Sequence, residues 1–314
     1  MRTVDTMIKN YDGHITTRSD VQLRDIKKQL PLRVLSEEDW AHWTSQGFVI
    51  VKNVISRERA SDLVDVLWEF NEASPDSPDT WNRPERRPHR SPEFNNVGML
   101  EIYHHQLMWD NRQNSRIYDA FVDIWDRTDL WVLLDRANLS TPKPGDVAKN
   151  GFVHWDVDTS KQPLPISVQG TLSLTDQSPE TGGFQCVPGI FNDLETWIAS
   201  QPSNRHPLHP DPTGHEIVTL ELSAGDLVIW NSLLPHAIKP NQSKDQFRAA
   251  QYLSMVPANY NDEAMRVDRI ETWKNLRKPA AGCFPGDPRD WEKKHYGPAS
   301  LTELGEKLLG MKHW

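Results

Sequence analysis

His154-Trp155-Asp156, followed later by a lone His236 and then by Arg248, is the stretch on which the interpretation of this chain depends. In a β-strand, residues i and i+2 point to the same side, so His154 and Asp156 can reach one metal ion together. A second histidine completes a set of two imidazoles and one carboxylate, which suits non-heme Fe(II) in enzymes that activate O₂. Arg248 adds a fixed cation whose two-pronged guanidinium suits the carboxylate of a dicarboxylate such as 2-oxoglutarate.

The bulk composition indicates a globular protein of one large domain or two small ones. The chain has 314 residues, of which 37% are hydrophobic and 25% charged, with a formal net charge of −9. The acidic balance argues against a nucleic-acid partner, and the lack of a long apolar run argues against a membrane span. With only Cys186 and Cys283, and with polar sequence after the N-terminus, we expect a cytoplasmic protein without disulfides. The thirteen tryptophans predict a Trp-rich core more strongly than aromatic-lined pockets.

Helices and one strand are predicted in the first half of the chain. Residues 1–34 are polar and weakly patterned, and we expect an N-terminal arm on the surface. Ser36 and Ser56 are each typical of the residue that caps the start of a helix. Between those helices, residues 47–51 predict a strand, and the apolar spacing across 117–125 predicts an amphipathic helix.

Strand patterns dominate from residue 131 onward, with glycine-containing turns between them. The predicted strands are 131–139, 168–174, 184–187, 216–222, 226–230 and 247–256. Many short strands at this spacing favour a barrel or a double sheet, with helices supplied mainly by the first half. A final helix is predicted near 301–309.

Five short motifs resemble the phytanoyl-CoA dioxygenase family of Fe(II)/2-oxoglutarate oxygenases. They are Gly151-Phe152-Val153-His154-Trp155-Asp156, Gly182-Gly183-Phe184-Gln185-Cys186-Val187-Pro188-Gly189, Gly225-Asp226-Leu227-Val228-Ile229-Trp230, Pro235-His236, and Asn241 through Arg248. The resemblance implies a mainly β fold with flanking helices around a double-stranded β-helix, the cupin-like jelly-roll. It implies an oxygenase domain over 35–257, with jelly-roll strands mainly in 131–257. Residues 258–314 would then be a C-terminal extension packed on the same domain.

The resemblance also implies the metal ligands and the reaction. His154, Asp156 and His236 would be the catalytic iron ligands. The implied reaction is hydroxylation, or another oxidation, of an unactivated C–H bond in a small molecule, with O₂ and 2-oxoglutarate consumed and succinate and CO₂ released. Ascorbate is the expected activator in vitro. The substrate and the oligomeric state stay open.

The co-substrate contacts are implied less completely. Arg248 would bind the distal carboxylate of 2-oxoglutarate, and Asn138 matches an asparagine that touches the co-substrate in relatives. Several relatives carry serine two residues after the distal histidine, where this chain has Ile238. Thr171 or Gln169, on a facing strand, are candidate replacements.

A basic loop from Ser74 to Pro92 is a candidate substrate lid, because long loops of unusual charge are often functional. Its candidate substrate-binding residues are Arg83, Arg86, Arg87 and Arg90, which would favour an anionic small molecule. A solvated connector is the alternative interpretation of the same loop.

Other functions stay open at this point. The fold is also compatible with a non-catalytic metal or small-molecule binding module, or with a cupin-like metalloenzyme that does not use 2-oxoglutarate. A radical halogenase is disfavoured because Asp156 fills the coordination position that such an enzyme leaves vacant. We expect Trp155 to pack away from the metal. Two histidine groups without a suitably spaced carboxylate are interpreted as structural or solvated: His104-His105, and His206, His209 and His215.

Overall fold

Antiparallel strands form the centre of the protein. The computed structural model describes residues 21–81, 98–142, 151–280 and 285–314. The strands are β1 (Phe48–Val51), β2 (Met99–Leu100), β3 (Leu130–Val132), β4 (Ala137–Ser140), β5 (Val168–Ser173), β6 (Gly183–Cys186), β7 (Val218–Thr219), β8 (Leu227–Asn231), β9 (His236–Lys239), β10 (Arg248–Tyr252) and β11 (Met255–Pro257). The α-helices of the described residues are α1 (Glu37–Gln46), α2 (Arg57–Asn71), α3 (Gln106–Arg112), α4 (Ser115–Trp125), α5 (Pro188–Asn192), α6 (Leu194–Ser200), α7 (Glu263–Lys274), α8 (Trp291–His295) and α9 (Glu303–Leu309), and short 3-10 helices lie at Leu23–Asp25 and Pro78–Thr80.

The strands are arranged in one large and two small antiparallel sheets. The large sheet has the order β1-β8-β5-β10-β4-β2, a second sheet has the order β7-β6-β9, and β11 pairs with β3. Phe184 of β6 contacts Trp230 of β8, with ring centroids 4.6 Å apart, so the two larger sheets pack face to face. This double-sheet arrangement with flanking helices confirms the predicted jelly-roll core.

Side-chain capping begins the first two long helices as predicted. Ser36 accepts a hydrogen bond from the backbone N–H of Asp39, and the Asp39 side chain accepts one in return, so that α1 starts with a capping box. Ser56 accepts from the N–H of Arg59 at the start of α2. Gly47, predicted as the first residue of a strand, instead ends α1 with φ = 79°, and a Cβ there would lie 2.8 Å from the Phe191 ring.

Three predicted strands are interrupted or shorter in the structure. The predicted strand 131–139 divides into β3 and β4, and 247–256 divides into β10 and β11, because the chain leaves the large sheet in both places. The two breaks are adjacent: the N–H of Leu133 donates to the carbonyl of Ser254, whose hydroxyl accepts from Gly170 of the large sheet. The predicted strand 216–222 shortens to β7, with one isolated bridge between Gln177 and Leu222. Hydrophobic periodicity does not show where a strand changes sheets.

Two hydrophobic clusters lie on opposite faces of the large sheet. One packs the sheet against α2, α3 and α4, and the other fills the space between the sheets with side chains such as Phe48, Phe184 and Trp230. Trp43, Trp109 and Trp131 are fully buried, which confirms the prediction of a Trp-rich core. In the described ranges, every helix is too short or too polar to cross a bilayer.

The C-terminal helices join the same core. Trp291 of α8 and Leu308 and Leu309 of α9 belong to the cluster that also contains the large sheet. The predicted final helix is present as α9, with Thr302 as its capping residue. The domain boundaries at 34 and 257 stay predictions.

The described part of the N-terminal arm is fastened to the end of α4. Asp123, a buried residue of α4, accepts backbone hydrogen bonds from Arg33, Val34 and Leu35 at 2.8–2.9 Å. Asp126 accepts two more from the backbone of residues 29–30. The path of the arm is therefore set by carboxylates far along the chain. The weak sequence pattern of the arm itself did not predict these contacts.

We predict that Asp123→Ala lowers the free energy of unfolding by about 2–3 kcal/mol, because three backbone donors lose a buried charged acceptor. Asp119→Ala is the matched control on the same helix, since its pair with Arg33 is partly exposed. That control should cost less than about 1 kcal/mol. Urea denaturation of both variants measures the difference, and equal losses would contradict the anchoring role.

Candidate metal centre

The predicted metal ligands come together in one cluster. One nitrogen or oxygen atom from each of His154, Asp156 and His236 lies within 4.8 Å of the others, and this is the one such group of three among the described residues. Nε2 of His154 is 3.5 Å from Oδ1 of Asp156, and Nε2 of His236 is 3.2 Å from Oδ2 of the same carboxylate. Two imidazoles and one carboxylate thus converge from one side, as a facial metal site requires.

Backbone pairing joins the two histidines. The N–H of His154 donates to the carbonyl of His236 at 2.9 Å, and the N–H of His236 donates back at 3.0 Å. His236 is the first residue of β9 and also lies opposite Cys186 of β6. The segment that carries His154 is therefore an extra edge beside the smaller sheet, and its ligands face the space between the sheets.

Each histidine is oriented by its own backbone. Nδ1 of His154 lies 2.9 Å from the carbonyl of Phe152, and Nδ1 of His236 lies 3.0 Å from the carbonyl of Leu234. A carbonyl can only accept, so each Nδ1 carries a proton, and Nε2 is the ring atom that faces Asp156 and on which a metal would replace a proton. Such a fixed tautomer is typical of metal-binding histidines.

The charges of the cluster favour a cation. Burial opposes ionisation of Asp156, but hydrogen bonds from the two imidazoles outweigh it and hold the pKa of this carboxyl well below its usual range. Burial likewise opposes the charged form of His154. The hydrogen bond and the negative charge of Asp156 favour that charged form, and the net effect raises the pKa of His154. A divalent metal ion bound between these groups would supply positive charge in place of a proton on His154.

The cluster is open on one side. The side chains of His154 and Asp156 are 32% and 26% exposed, whereas that of His236 is 6% exposed. A metal held there would face solvent across the His154 side, which is the side from which ligands can approach.

Gln169 fixes the carboxylate ligand. Its Nε2 donates to Oδ2 of Asp156 at 2.8 Å, the oxygen that also faces His236. The sequence suggested Gln169 as a co-substrate contact, and this stays a prediction; the contact that the structure shows is the one with Asp156. The Oε1 atom of Gln169 is buried and has no hydrogen-bond partner within the described residues, and the same holds for the indole Nε1 of Trp230, directly opposite on β8.

Arg248 is a buried cation. It begins β10, and its Nη1 donates to the carbonyls of Lys239 at 3.0 Å and Thr181 at 3.3 Å. Burial lowers its pKa to about 10. No carboxylate of the described residues lies within 4.0 Å of its guanidinium, so an anionic ligand would supply the missing negative charge.

The strand register places the other candidate residues on the same face as Arg248. Asn138 pairs with Ala250, and Thr171 pairs with Tyr252, so both side chains share the face of β10 that carries Arg248. Both residues are buried. Gln169 on this face reaches Asp156, so the face is the one directed at the metal cluster.

Tyr252 was not predicted as a site residue. It lies on the inner face of β10, and burial raises the pKa of its phenol, against the opposing influence of Arg136 and Arg248. Its partner across the sheet is Thr171, so the ring lies on the face that also carries Arg248. Counting in steps of two from Arg248 along β10 would have found it. Ile238, which stands where several relatives have serine, is half-buried beside His236 on β9.

The remaining predictions have different outcomes. Trp155 packs away from the metal as expected, donating from its indole N–H to the carbonyl of Leu233 at 2.7 Å. His104 is structural, because it is buried, bonds to the carbonyl of Arg277, and has its pKa lowered by burial to about 3. The candidate substrate-binding residues lie outside the described residues: Arg83, Arg86, Arg87 and Arg90.

Known proteins resemble this chain over most of its length. A family model for phytanoyl-CoA dioxygenase matches residues 43–250. Ava biosynthesis cluster protein O of Aspergillus versicolor is 26% identical over 276 residues, which cover 79% of this chain and 88% of that protein. Dioxygenase sphC of Aspergillus fumigatus is 21% identical over 323 residues, which cover 93% of this chain and 81% of that protein.

Solved structures show the same fold. The product of GlcNAc Inducible Gene 2 from Candida albicans superposes with a TM-score of 0.61 at 12% identity, covering 100% of this chain and 88% of that one. The epimerase SnoN, solved with Fe³⁺, alpha-ketoglutarate and nogalamycin RO, superposes with a TM-score of 0.50 at 16% identity, covering 85% and 95%. A jelly-roll with two histidines and one carboxylate on its inner surface is the arrangement of fold and site that non-heme Fe(II) oxygenases use. Within that class, the chain belongs to the phytanoyl-CoA dioxygenase family.

We predict that Gln169→Leu weakens binding of Mn(II), an air-stable substitute for Fe(II), by roughly tenfold, because Asp156 loses the donor that orients it. Isothermal titration calorimetry of the metal-free protein measures the affinity. Gln246→Leu makes the same chemical change in the exposed turn before β10 and should bind Mn(II) like the wild type. Equal affinities for all three proteins would show that Gln169 does not position the ligand.

Proposed function

We propose that this protein is an Fe(II)- and 2-oxoglutarate-dependent dioxygenase that oxidises an unactivated C–H bond of a small molecule. The observation that carries the proposal is the pairing of a facial ligand set with the buried guanidinium of Arg248, which has no carboxylate partner among the described residues. A metal site alone would not need that cation. A co-substrate with one end on the metal and a carboxylate at the other end accounts for both.

His154, Asp156 and His236 would hold the iron from one side and leave its remaining positions toward the exposed side. Bound there, Fe(II) with 2-oxoglutarate supplies the oxidising power, and the reaction releases succinate and CO₂. The protein fixes the ligands through backbone carbonyls and Gln169, and excludes water on the His236 side. Arg248 would neutralise and orient the distal carboxylate, with Asn138 and Thr171 on the same face.

Relatives support this assignment. Dioxygenase sphC carries the activity class in its name, and SnoN was solved with iron and alpha-ketoglutarate. Because the structural likeness is at low identity, it supports the fold, and the chemistry is inferred from the residues of this chain. The substrate of neither protein transfers to it.

Two alternatives make different predictions in one assay. Succinate release is measured with Fe(II), ascorbate and 2-oxoglutarate, with and without a panel of small molecules. A non-catalytic binding module would release no succinate. A cupin-like enzyme would consume O₂ with its substrate but leave 2-oxoglutarate intact. Asp156 occupies the ligand position that a radical halogenase leaves to halide, so chlorinated products are not expected.

We predict that Asp156→Ala abolishes succinate release, because the site loses a ligand and the one carboxylate of the cluster seen among the described residues. Asp62→Ala, on the exposed surface of α2, is the control for removing a carboxylate and should keep full activity. Wild-type turnover by purified Asp156→Ala would refute the ligand assignment.

Arg248→Met should raise the KM for 2-oxoglutarate while leaving Mn(II) affinity near the wild-type value. Loss of one partner of a buried charge pair costs about 2–5 kcal/mol, which corresponds to at least a 30-fold change. Arg57→Met removes an arginine whose ion pair with Asp176 is exposed, and should leave the KM unchanged. Thermal melting separates a binding defect from unfolding, since Arg248 also bonds two carbonyls. An unchanged KM in a folded variant would remove Arg248 from the co-substrate site.

A further inference from the structure

An aromatic corner, defined here as Phe152, His206 and His209, lies beside the exposed side of the metal centre. The Phe152 ring is parallel to the imidazole of His154 within 12°, with centroids 5.9 Å apart. It is nearly perpendicular to the His209 ring, at 75° and 4.7 Å. His209 is stacked on His206 at 3.9 Å and 3°. The corner therefore presents two aromatic surfaces at about a right angle.

Backbone hydrogen bonds fix this corner relative to the metal ligands. Phe152 stands two residues before His154, and its carbonyl is the group that orients the His154 ring. The loop that carries the two other histidines is held to the same segment, because the carbonyl of Leu208 accepts from the N–H of Trp155 at 2.8 Å. The carbonyl of Pro207 accepts from the hydroxyl of Thr159. The corner and the metal cluster thus form one unit.

Folding does not account for the position of the Phe152 side chain. It is 64% exposed, the highest value among the large hydrophobic side chains described as exposed. Burying a phenylalanine typically stabilises a protein by about 1.5–3 kcal/mol, and much of that is forgone here. The others, Val21, Val267 and Met311, are remote in sequence from every ligand. Small-molecule sites are lined predominantly by hydrophobic and aromatic side chains, and the Phe152 ring borders the metal cluster.

We infer that the substrate presents a planar aromatic or conjugated ring to this corner. The inference rests on the proposed function, and it names the class of substrate that the site accepts. A flat ring can stack on one surface of the corner while meeting the other edge to face, and both contacts are favoured by the quadrupoles of the rings. A saturated ring of the same skeleton can fill the space but cannot make these contacts. Phe152 is thereby a specificity-determining residue.

The test compares two probes that share a carbon skeleton and a hydroxyl group, 2-naphthol and trans-decahydro-2-naphthol. Their dissociation constants are measured by ligand-observed NMR with the Zn(II)-loaded full chain, which does not turn over. We expect the wild type to bind 2-naphthol more tightly. Phe152→Leu should weaken 2-naphthol about 2- to 13-fold, the range given by 0.5–1.5 kcal/mol for an aromatic pair, and leave the saturated probe within twofold.

Met311→Leu is the matched control, because it also converts an exposed apolar side chain to leucine, and it should change neither dissociation constant. Equal binding of both probes by the wild type, or an unchanged preference in Phe152→Leu, would overturn the inference. A wild-type oligomer that Phe152→Leu converts to monomers, measured by light scattering, would assign the ring to a subunit contact and overturn it as well. Binding is measured without 2-oxoglutarate or turnover, so a failed succinate assay and a failed probe preference are separate results.

Discussion

The site depends on a two-way hydrogen bond between the backbones of His154 and His236. Such a pair holds two Cα atoms about 5.5 Å apart, and here the imidazole centroids lie 4.7 Å apart. Ligands that are distant in sequence are thus neighbours in the metal-free fold. Because folding already orders these side chains, metal binding does not carry the entropy cost of bringing them together. The carbonyls two residues before each histidine then determine the tautomer, so the backbone alone specifies where both Nε2 atoms point.

The alternation of side chains across the large sheet extends this order to the residues around Arg248. With the registers of β10 against β4 and β5 fixed, Arg248, Asn138, Thr171 and Gln169 must share one face. A slip of one residue would turn Arg248 into the hydrophobic cluster beneath the helices, where a buried charge is costly. The same register that packs the core therefore keeps the cation in the space between the sheets.

Much of the fold and of the metal site could be predicted from the sequence. The physical reasons for this also show which parts could not. The two-residue period of strands predicted that His154 and Asp156 share a side, and they do, although His154 forms only an isolated bridge and Asp156 lies in a bend. Ser36 and Ser56 start helices because their hydroxyls satisfy free N–H groups. These are local rules. The division at 133–136 and 253–254 is not local, since each break is bonded to the other. The role of Gln169 was likewise hidden, because its contact with Asp156 is a tertiary one.

Burial is uneven across the metal cluster: some of its residues are part of the packed core, and others border solvent. His236 is enclosed by Phe184 and Trp230, so that changing its surroundings would disturb the packing of both sheets. His154 and Asp156 border solvent, and their neighbours Phe152 and the loop near His209 lie on the rim. Rim residues can vary without cost to the core, whereas the ligands and their backbone supports cannot. Residues on such a rim can change without disturbing the groups that hold the sheets together, which is how one fold can host different functions.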